Sequence, residues 1–320
     1  MDTLILGKKD VQEVLSMSGA ITALETALRK NFSMPPKVYL DVGSRGDFRA
    51  MPCFQEPYCS LKWVNVYPDN SKQGLPTVMA TIILNDATNA VPLAVMDGSL
   101  ITAFRTGAMA ALATKYLARE NCSVLGLVGA GMQSRTQLLA IQEVVSLKEV
   151  RVCDARPEAA QTFASEMAVK TRAKIVVVPG VEQCVKGADV VSTITPSRSP
   201  IVKSEWVGEG MHLNCVGADA AGKQELESSI LNRAKVVVDN REQAVHSGEI
   251  NVPISSGLFK ENQIVAELVQ VVRGENKVRY SPDDLTLFVS TGLAIQDLAV
   301  ASMVYEAAKA KRIGVTTEFV

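Results

Sequence analysis

Between Ser123 and Ile141 the chain reads SVLGLVGAGMQSRTQLLAI, an apolar run that turns on Gly129, Ala130 and Gly131 into an amphipathic stretch. Val124 to Val128 has the composition of a buried strand, and the segment from about Gln133 that of a helix, so the glycines fall where a strand hands over to a helix. Gly129 allows a tight turn. Gly131 removes the side chain that would block backbone approach to a pyrophosphate, and the first amides of the following helix would point at its charge. A third glycine usually serves close helix–strand packing; Ser134 stands in that place and is small enough for it. Asp154 closes the next strand, 23 residues beyond Gly131, where a carboxylate would bind the ribose hydroxyls of a dinucleotide. The plain alternative is a tight turn in a parallel sheet with Asp154 as a helix cap. Asp154 favours NAD, while Arg156, two residues on, is placed to meet a 2′-phosphate and leaves NADP open.

From Lys148 to Ala218 short Val/Ile-rich runs (EVRVCD, AKIVVVPG, DVVSTITP, HLNCVGAD) alternate with helical segments, and AKVVVDN adds another run. Near-continuous apolar strands separated by helices predict a parallel sheet covered on both faces. The first part of the chain reads differently. One helical stretch, DVQEVLSMSGAITALETALRKNF, precedes strand-like runs (PKVYLDV, DFRAMPCF, SLKWVNVYP, TVMATIILN, VPLAVMDG) divided by Pro, Gly and Asn/Asp turns, a mostly antiparallel signature. The apolar helix LITAFRTGAMAALATKYLA follows, and Leu293 to Arg312 reads as a long amphipathic helix that returns to the first part. The expected fold is therefore α/β: a Rossmann-type doubly wound parallel sheet over 118–289, plus a discontinuous α/β domain over 1–117 and 290–320.

A chain of 320 residues exceeds the roughly 250 to 300 at which single cores stop growing, in keeping with two domains. Lys plus Arg number 33 against 34 Asp plus Glu, so no global field draws the protein to nucleic acid or an anionic membrane. The start, MDTLILGKKD, lacks the basic stretch of a secretory signal, and no apolar run approaches the roughly 20 residues that cross a bilayer, so a cytoplasmic location is expected. Six cysteines without a CxxC pair, and two histidines, indicate neither zinc nor a disulfide framework. Cys122, Cys153, Cys184 and Cys215 recur every 31 residues, read here as the length of a strand–helix unit carrying buried small hydrophobes.

The segments GAGMQS, LKWVN, GLPTVMA, RTGA, GADAAGKQEL, GEIN and STGLAIQD run in order over nearly the whole chain and resemble the ornithine cyclodeaminase/mu-crystallin family, within it most the archaeal-type alanine dehydrogenases. The resemblance implies a Rossmann domain with NAD, a second domain that binds a small amino or keto acid and builds a homodimer, and a reversible oxidative deamination of L-alanine to pyruvate and ammonia. Such a reaction needs a cationic grip on the α-carboxylate, a proton-handling group near the amine, and the nicotinamide held against Cα. Cations stand in suggestive places: Lys37 after MPP, Arg49 in DFRAMP, Lys62 between Leu61 and Trp63, and Arg105 within an apolar helix. A buried Arg105 among Ile101, Phe104, Ala108 and Met109 needs an anion, phosphate or carboxylate; otherwise it snorkels to the surface. On pattern alone Lys62 fits the outward face of a strand equally well, and Lys37 a turn edge. The resemblance makes Lys62 a substrate ligand and proton carrier, its pKa lowered by neighbouring cations.

By the same resemblance Asp219, read as ending the strand HLNCVGAD, faces the substrate's amino group and directs water at the imine; alternatively it caps the next segment. The expected cofactor set is Arg105, Thr106, Gly129, Gly131, Met132, Gln133, Asp154 and Arg156, joined further on by Thr195, Gly217, Ala218, Asp219, Lys223 and Ser290. Ser290, Thr291 and Gly292 also read as simple helix-capping chemistry. His212 reads as a satisfied core residue, and His246 is undecided. At Arg49 the chain departs from the cyclodeaminase pattern, where a glutamate typically precedes the MP dipeptide; an arginine there repels a distal ammonium and suits alanine over ornithine. Reduction of a cyclic imine such as Δ1-pyrroline-2-carboxylate and the ornithine cyclodeaminase reaction are the enzymatic alternatives. A nicotinamide-binding, crystallin-like protein without catalysis is the remaining one.

Overall fold

In the computed structural model, which describes residues 2–318, the chain divides into two compact units, Met1–Arg105 with Leu293–Val320, and Thr106–Gly292. Met1, Phe319 and Val320, at the ends of the first expected domain, lie outside the described residues. The sequence-read boundary at 117 is the end of a long helix; the division by compactness falls inside it.

The first unit begins with β1 (Asp2–Leu6), α1 (Lys8–Val14) and α2 (Met17–Arg29). The sequence reading takes the two helices as one. The chain breaks between them because Leu15 is extended and the Ser16 hydroxyl accepts a bond from the Gly19 amide at 3.2 Å, restarting the helix as an N-cap. Then come β2 (Val38–Asp41), β3 (Asp47–Gln55), β4 (Tyr58–Val66), β5 (Val78–Asp86), β6 (Pro92–Asp97) and α3 (Gly98–Leu117). Asp97 receives the Leu100 amide at 3.0 Å and so starts α3 directly off the strand.

The second unit continues with β7 (Val124–Val128), α4 (Met132–Ile141), β8 (Glu149–Cys153), α5 (Pro157–Met167), β9 (Lys174–Val177), α6 (Val181–Val185), β10 (Val190–Thr193) and β11 (His212–Cys215). It closes with α7 (Ser228–Leu231), β12 (Lys235–Val238), α8 (Arg241–Ser247), α9 (Asn251–Ser255), β13 (Ile264–Glu267), α10 (Leu268–Val272) and β14 (Thr286–Val289). Helix α11 (Ala294–Lys311) and β15 (Val315–Glu318) return to the first unit.

The sheet of the first unit runs β15-β1-β6-β5-β4-β3-β2, antiparallel except where β1 pairs with β6. Its alternation sorts side chains between two faces. Arg49, Met51 and Cys53 on β3, with Ser60, Lys62 and Val64 on β4, are buried, whereas Phe54, Trp63 and Ile83 are exposed. Helix α11 packs against α2, β3, β4 and β5, and residues 294–301 are buried without a break. It returns to this unit as the sequence reading expects, and its first half is buried all round rather than amphipathic. Strands β1 and β15 were outside that reading; flanked by charged residues, they are short and lie at the sheet's far end.

The sheet of the second unit is wholly parallel, in the order β13-β12-β14-β11-β10-β7-β8-β9. From β9 to β14 this is the doubly wound arrangement, with chain direction across the sheet reversing between β7 and β10. Strand β14, unrecognised in the sequence, sits inside the sheet between β12 and β11, every residue buried. The four equally spaced cysteines are all buried, but they do not mark a repeating unit. Cys122 precedes β7, Cys153 and Cys215 end strands, and Cys184 lies in α6.

Candidate active site

In the first unit, strand pairing sets the cations on one buried face. Tyr39 lies opposite Arg49, and the guanidinium stacks over the Tyr39 ring at 5.2 Å. Asp47, two residues back on the same strand face, holds Arg49 bidentately, Nε to Oδ1 at 2.6 Å and Nη2 to Oδ2 at 3.1 Å. Lys62, opposite Met51 and Ile82, is 1% exposed. Its Nζ forms a 2.6 Å ion pair with Oδ2 of Asp297, a residue of α11 that is equally buried. The other oxygen of Asp297 accepts from Arg105 Nε at 3.0 Å, and Arg105 Nη1 donates to Gln296 Oε1 at 2.7 Å. One carboxylate thus bridges a lysine and an arginine that arrive from a strand and a helix.

Burial lowers the Lys62 pKa to about 7; the charges of Arg105 and Lys37 push the same way and Asp297 opposes them. Lys37, Lys62 and Arg105 therefore belong to one neighbourhood, and Arg49 is buried on β3 two residues from Met51, the partner of Lys62 in the sheet. The outward-facing alternative for Lys62 and the snorkelling alternative for Arg105 are ruled out by burial. The anion a buried Arg105 requires comes from the chain itself. Asp297 and Gln296 were absent from the sequence-read site, although both lie in the quoted segment STGLAIQD; an acid and an amide inside an apolar helix were the available signal.

In the second unit the expected residues gather where the parallel strands end. Gly129 follows β7, Asp154 follows β8, Thr195 follows β10, Gly217 to Asp219 follow β11, and Ser290 follows β14. This is the edge at which doubly wound sheets bind ligands, on both sides of the direction change between β7 and β10. Gly129 adopts φ 105°, and a Cβ there would come within 2.8 Å of the Ile194 carbonyl oxygen. Gly131 is the N-cap of α4, and a Cβ there would meet nothing within 4 Å. Met132, first in the helix, is 69% exposed beside that open space. Ser134 is buried and its Oγ donates to the Gly129 carbonyl at 2.5 Å, so the serine both packs and ties the turn.

Asp154 accepts the Ala130 amide at 2.8 Å and the Arg156 amide at 2.9 Å, fastening the glycine turn to the end of β8. Arg156 itself projects outward, 74% exposed along its side chain. The open Gly131 position at a helix N-terminus, with a carboxylate beside it, fits the phosphates and ribose of a dinucleotide.

Asp219 does not end a strand; β11 stops at Cys215 and Asp219 lies in the loop beyond, because Gly217 and its neighbours turn to bond back to Thr193. Lys223 pairs with Asp219 at 2.5 Å. Ala218 is buried in the same turn, and Thr106 is buried in α3. The Ser290 amide bonds the Cys215 carbonyl, while Asp239 receives the Thr291 and Gly292 amides at 2.6 and 2.8 Å. Asp239 too was missed. His212 is a core residue held by Thr286 and Asn214, its pKa lowered to about 3 by burial, and His246 is an exposed residue of α8. Among the described residues no group of three His, Cys, Asp or Glu side chains is placed to hold a metal ion, and no helix is long and apolar enough to cross a membrane.

Sheet order, glycine turn and buried cation cluster together put the chain in the class of two-unit α/β proteins built on a Rossmann-type sheet. It belongs to the ornithine cyclodeaminase/mu-crystallin family, whose model matches residues 1–312. An alanine dehydrogenase of Archaeoglobus fulgidus is 47% identical over 100% of this chain and 99% of its own length. Among solved structures, an archaeal alanine dehydrogenase dimer with bound NAD is 47% identical, covers both chains completely and superposes with a TM-score of 0.96. The Thermococcus litoralis Delta(1)-pyrroline-2-carboxylate reductase, in complex with NADH and L-proline, reaches the same TM-score at 37% identity, covering 98% of this chain and 100% of that one.

Proposed function

We propose that the protein is an NAD-dependent oxidoreductase that interconverts L-alanine with pyruvate and ammonia. The observation that carries this reading is Lys62, a fully buried lysine with a pKa near neutrality amid Arg105, Lys37 and Asp297. Such a group changes protonation state at working pH without leaving its place. Arg49, Lys37 and Arg105 supply the positive field that a substrate α-carboxylate requires. Bound NAD supplies the hydride acceptor. Neutral Lys62 takes the proton released as the ammonium of alanine becomes an imine, and returns it in the reverse direction. We assign to Asp219 the orientation of the water that hydrolyses the imine. The overall balance is alanine, NAD and water giving pyruvate, ammonium, NADH and a proton.

NAD rather than NADP fits the Asp154 position, and the relatives solved with NAD or NADH support it. Cyclic-imine reduction is the second reading, favoured by the likeness to the reductase solved with L-proline. It uses the same grip and the same proton donor but no water, so steady-state rates with L-alanine and with L-proline separate the two. Charge at position 49 is the specificity test: Arg49→Glu lowers kcat/KM for alanine, and unchanged alanine turnover would remove Arg49 from the substrate grip.

The exposed face opposite Lys62 carries Trp63, Phe54 and Ile83, with Val78 and Met79 on the same sheet. Phe48 stacks on Trp63 at 5.3 Å. An apolar sheet face of this kind calls for cover. A second copy of the chain is the cover we propose; the archaeal alanine dehydrogenase that the chain resembles is solved as a dimer.

A further inference from the structure

Two carboxyl groups that the proposed chemistry does not use, Glu225 and Glu249, lie fully buried in the second unit. Glu249 sits in the segment GEIN, between α8 and α9, and accepts three bonds from two backbone amides: Glu225 at 2.9 and 3.0 Å and Leu226 at 2.7 Å. Glu225 spends both of its oxygens on the neighbouring turns. Oε1 accepts the Thr195 amide at 2.7 Å and the Thr195 hydroxyl at 2.8 Å; Oε2 accepts the Gly217 amide at 3.1 Å. Gly217 has no side chain because none fits: a Cβ there would collide with the Thr195 backbone and come within 2.5 Å of Glu225 Oε2. Asn251 secures the far side of the same loop, receiving the Gly222 amide at 2.9 Å and donating to the Lys223 carbonyl at 3.0 Å.

We propose that Glu225 is a positioning residue for cofactor binding, its carboxylate locking the Thr195 turn to the Gly217–Asp219 turn while Glu249 fixes it from behind. The inference rests on the reading of this strand edge as the NAD site. Two amides that approach from different turns need two acceptor oxygens, which a carboxylate has and a carboxamide lacks. The arrangement is costly to the fold. Burial pushes the Glu225 carboxyl up to about 7 and the Glu249 carboxyl well above the usual carboxylate range, the Glu225 charge adding to the latter, with the Cys215 thiol also facing them. A carboxyl pair kept against such a penalty at the ligand-binding edge of a sheet is characteristic of a site rather than of a core.

The test is Glu225→Gln in the full-length protein, read three ways. Hydrogen exchange of the cofactor-free protein reports the Thr195 amide and the Gly217 amide, the second of which also bonds the Thr193 carbonyl at 3.1 Å, with the Asp239-held Thr291 and Gly292 amides as internal controls. Fluorescence titration gives the NADH dissociation constant, and steady-state kinetics gives the KM for L-alanine. The variant is expected to expose the Gly217 or Thr195 amide, leave the controls protected, weaken NADH binding about tenfold, and hold the alanine KM within about twofold. Retained protection at both amides, or unchanged NADH affinity, would overturn the proposal. Wild-type protein that fails to bind NADH would instead overturn the assignment of the cofactor site itself. Should Glu225→Gln not fold, Gly217→Ala keeps the carboxylate but drives a methyl into the same contact, and the same loss of NADH affinity is expected; wild-type affinity in that variant would refute the lock.

Discussion

Asp297→Asn removes the only charge of a residue that bridges two buried cations while keeping its shape. Lys62 Nζ lies 2.6 Å and Arg105 Nε 3.0 Å from its two oxygens, and the lysine and aspartate are each 1% exposed. Breaking a buried pair by deleting one partner costs about 3 to 5 kcal/mol, because the remaining charge stays desolvated. Lys62 has an escape that Arg105 lacks, since it can lose its proton. In the wild type its folded pKa is about 7 against 10.5 in the unfolded chain, so the unfolded state binds more protons between those values and stability rises with pH across that window. Without Asp297 the folded pKa drops further, and the window opens at lower pH. The variant's deficit is therefore largest near pH 6, where wild-type Lys62 is charged and paired. It shrinks above pH 7, where Lys62 is neutral in both proteins and only the Arg105 contact is lost. Between pH 9 and pH 6 the deficit grows by at most ~1.4 kcal/mol, the value of the one pH unit that separates pH 6 from the wild-type lysine pKa of about 7. Urea unfolding of both proteins at pH 6 and pH 9 measures it. Equal deficits at the two pH values would refute the coupling of Asp297 to the lysine's proton.

Alanine oxidation, which needs neutral Lys62, is expected to rise through about pH 7 and level off above it, and Lys62→Met to abolish that rise with a loss of about 10² to 10⁴ in kcat; an unchanged pH profile in the variant would remove Lys62 as the proton carrier. Gly131→Ala places a methyl in open space, so the melting temperature stays at the wild-type value while the KM for NAD rises; an unaltered KM would mean that no pyrophosphate approaches there. Ser134→Ala loses the bond to the Gly129 carbonyl and is expected to cost about 1 kcal/mol in chemical denaturation. Trp63→Glu with Ile83→Lys on the exposed sheet face is expected to yield monomer in light scattering from a wild-type dimer, and a wild-type monomer would refute the covered face.

The second unit was legible because its signals are local. A strand, the two turn glycines Gly129 and Gly131, and a helix lie within 19 residues, and β-branched runs mark fully buried strands. Strand β14 escaped because LTLFV is a single short apolar run whose place in the sheet depends on partners far away in sequence. In the first unit the strands could be read from alternation, but which face carries Lys62 could not. A one-residue difference in phase reverses every side chain, and only the packing of α11 on β3, β4 and β5 decides it. Asp297, Glu225 and Asp239 were missed for a common reason: each acts through partners at long sequence separation, Lys62 and Arg105, Thr195, and Thr291 respectively. Arg49 shows the limit of reading charge from sequence, since Asp47 two residues earlier already holds it, and its effect on a substrate is that of a paired guanidinium.

The most direct test of the proposed activity follows reduced-nicotinamide absorbance when purified protein meets NAD and L-alanine, with L-proline, L-ornithine and a substrate-free sample in parallel. Reduction of NAD with alanine, and release of pyruvate and ammonia in equal amounts, is the predicted result. Silence with alanine would contradict it: NAD reduction with L-proline instead would assign the protein to cyclic-imine chemistry, and proline formed from ornithine without net reduction to cyclodeamination.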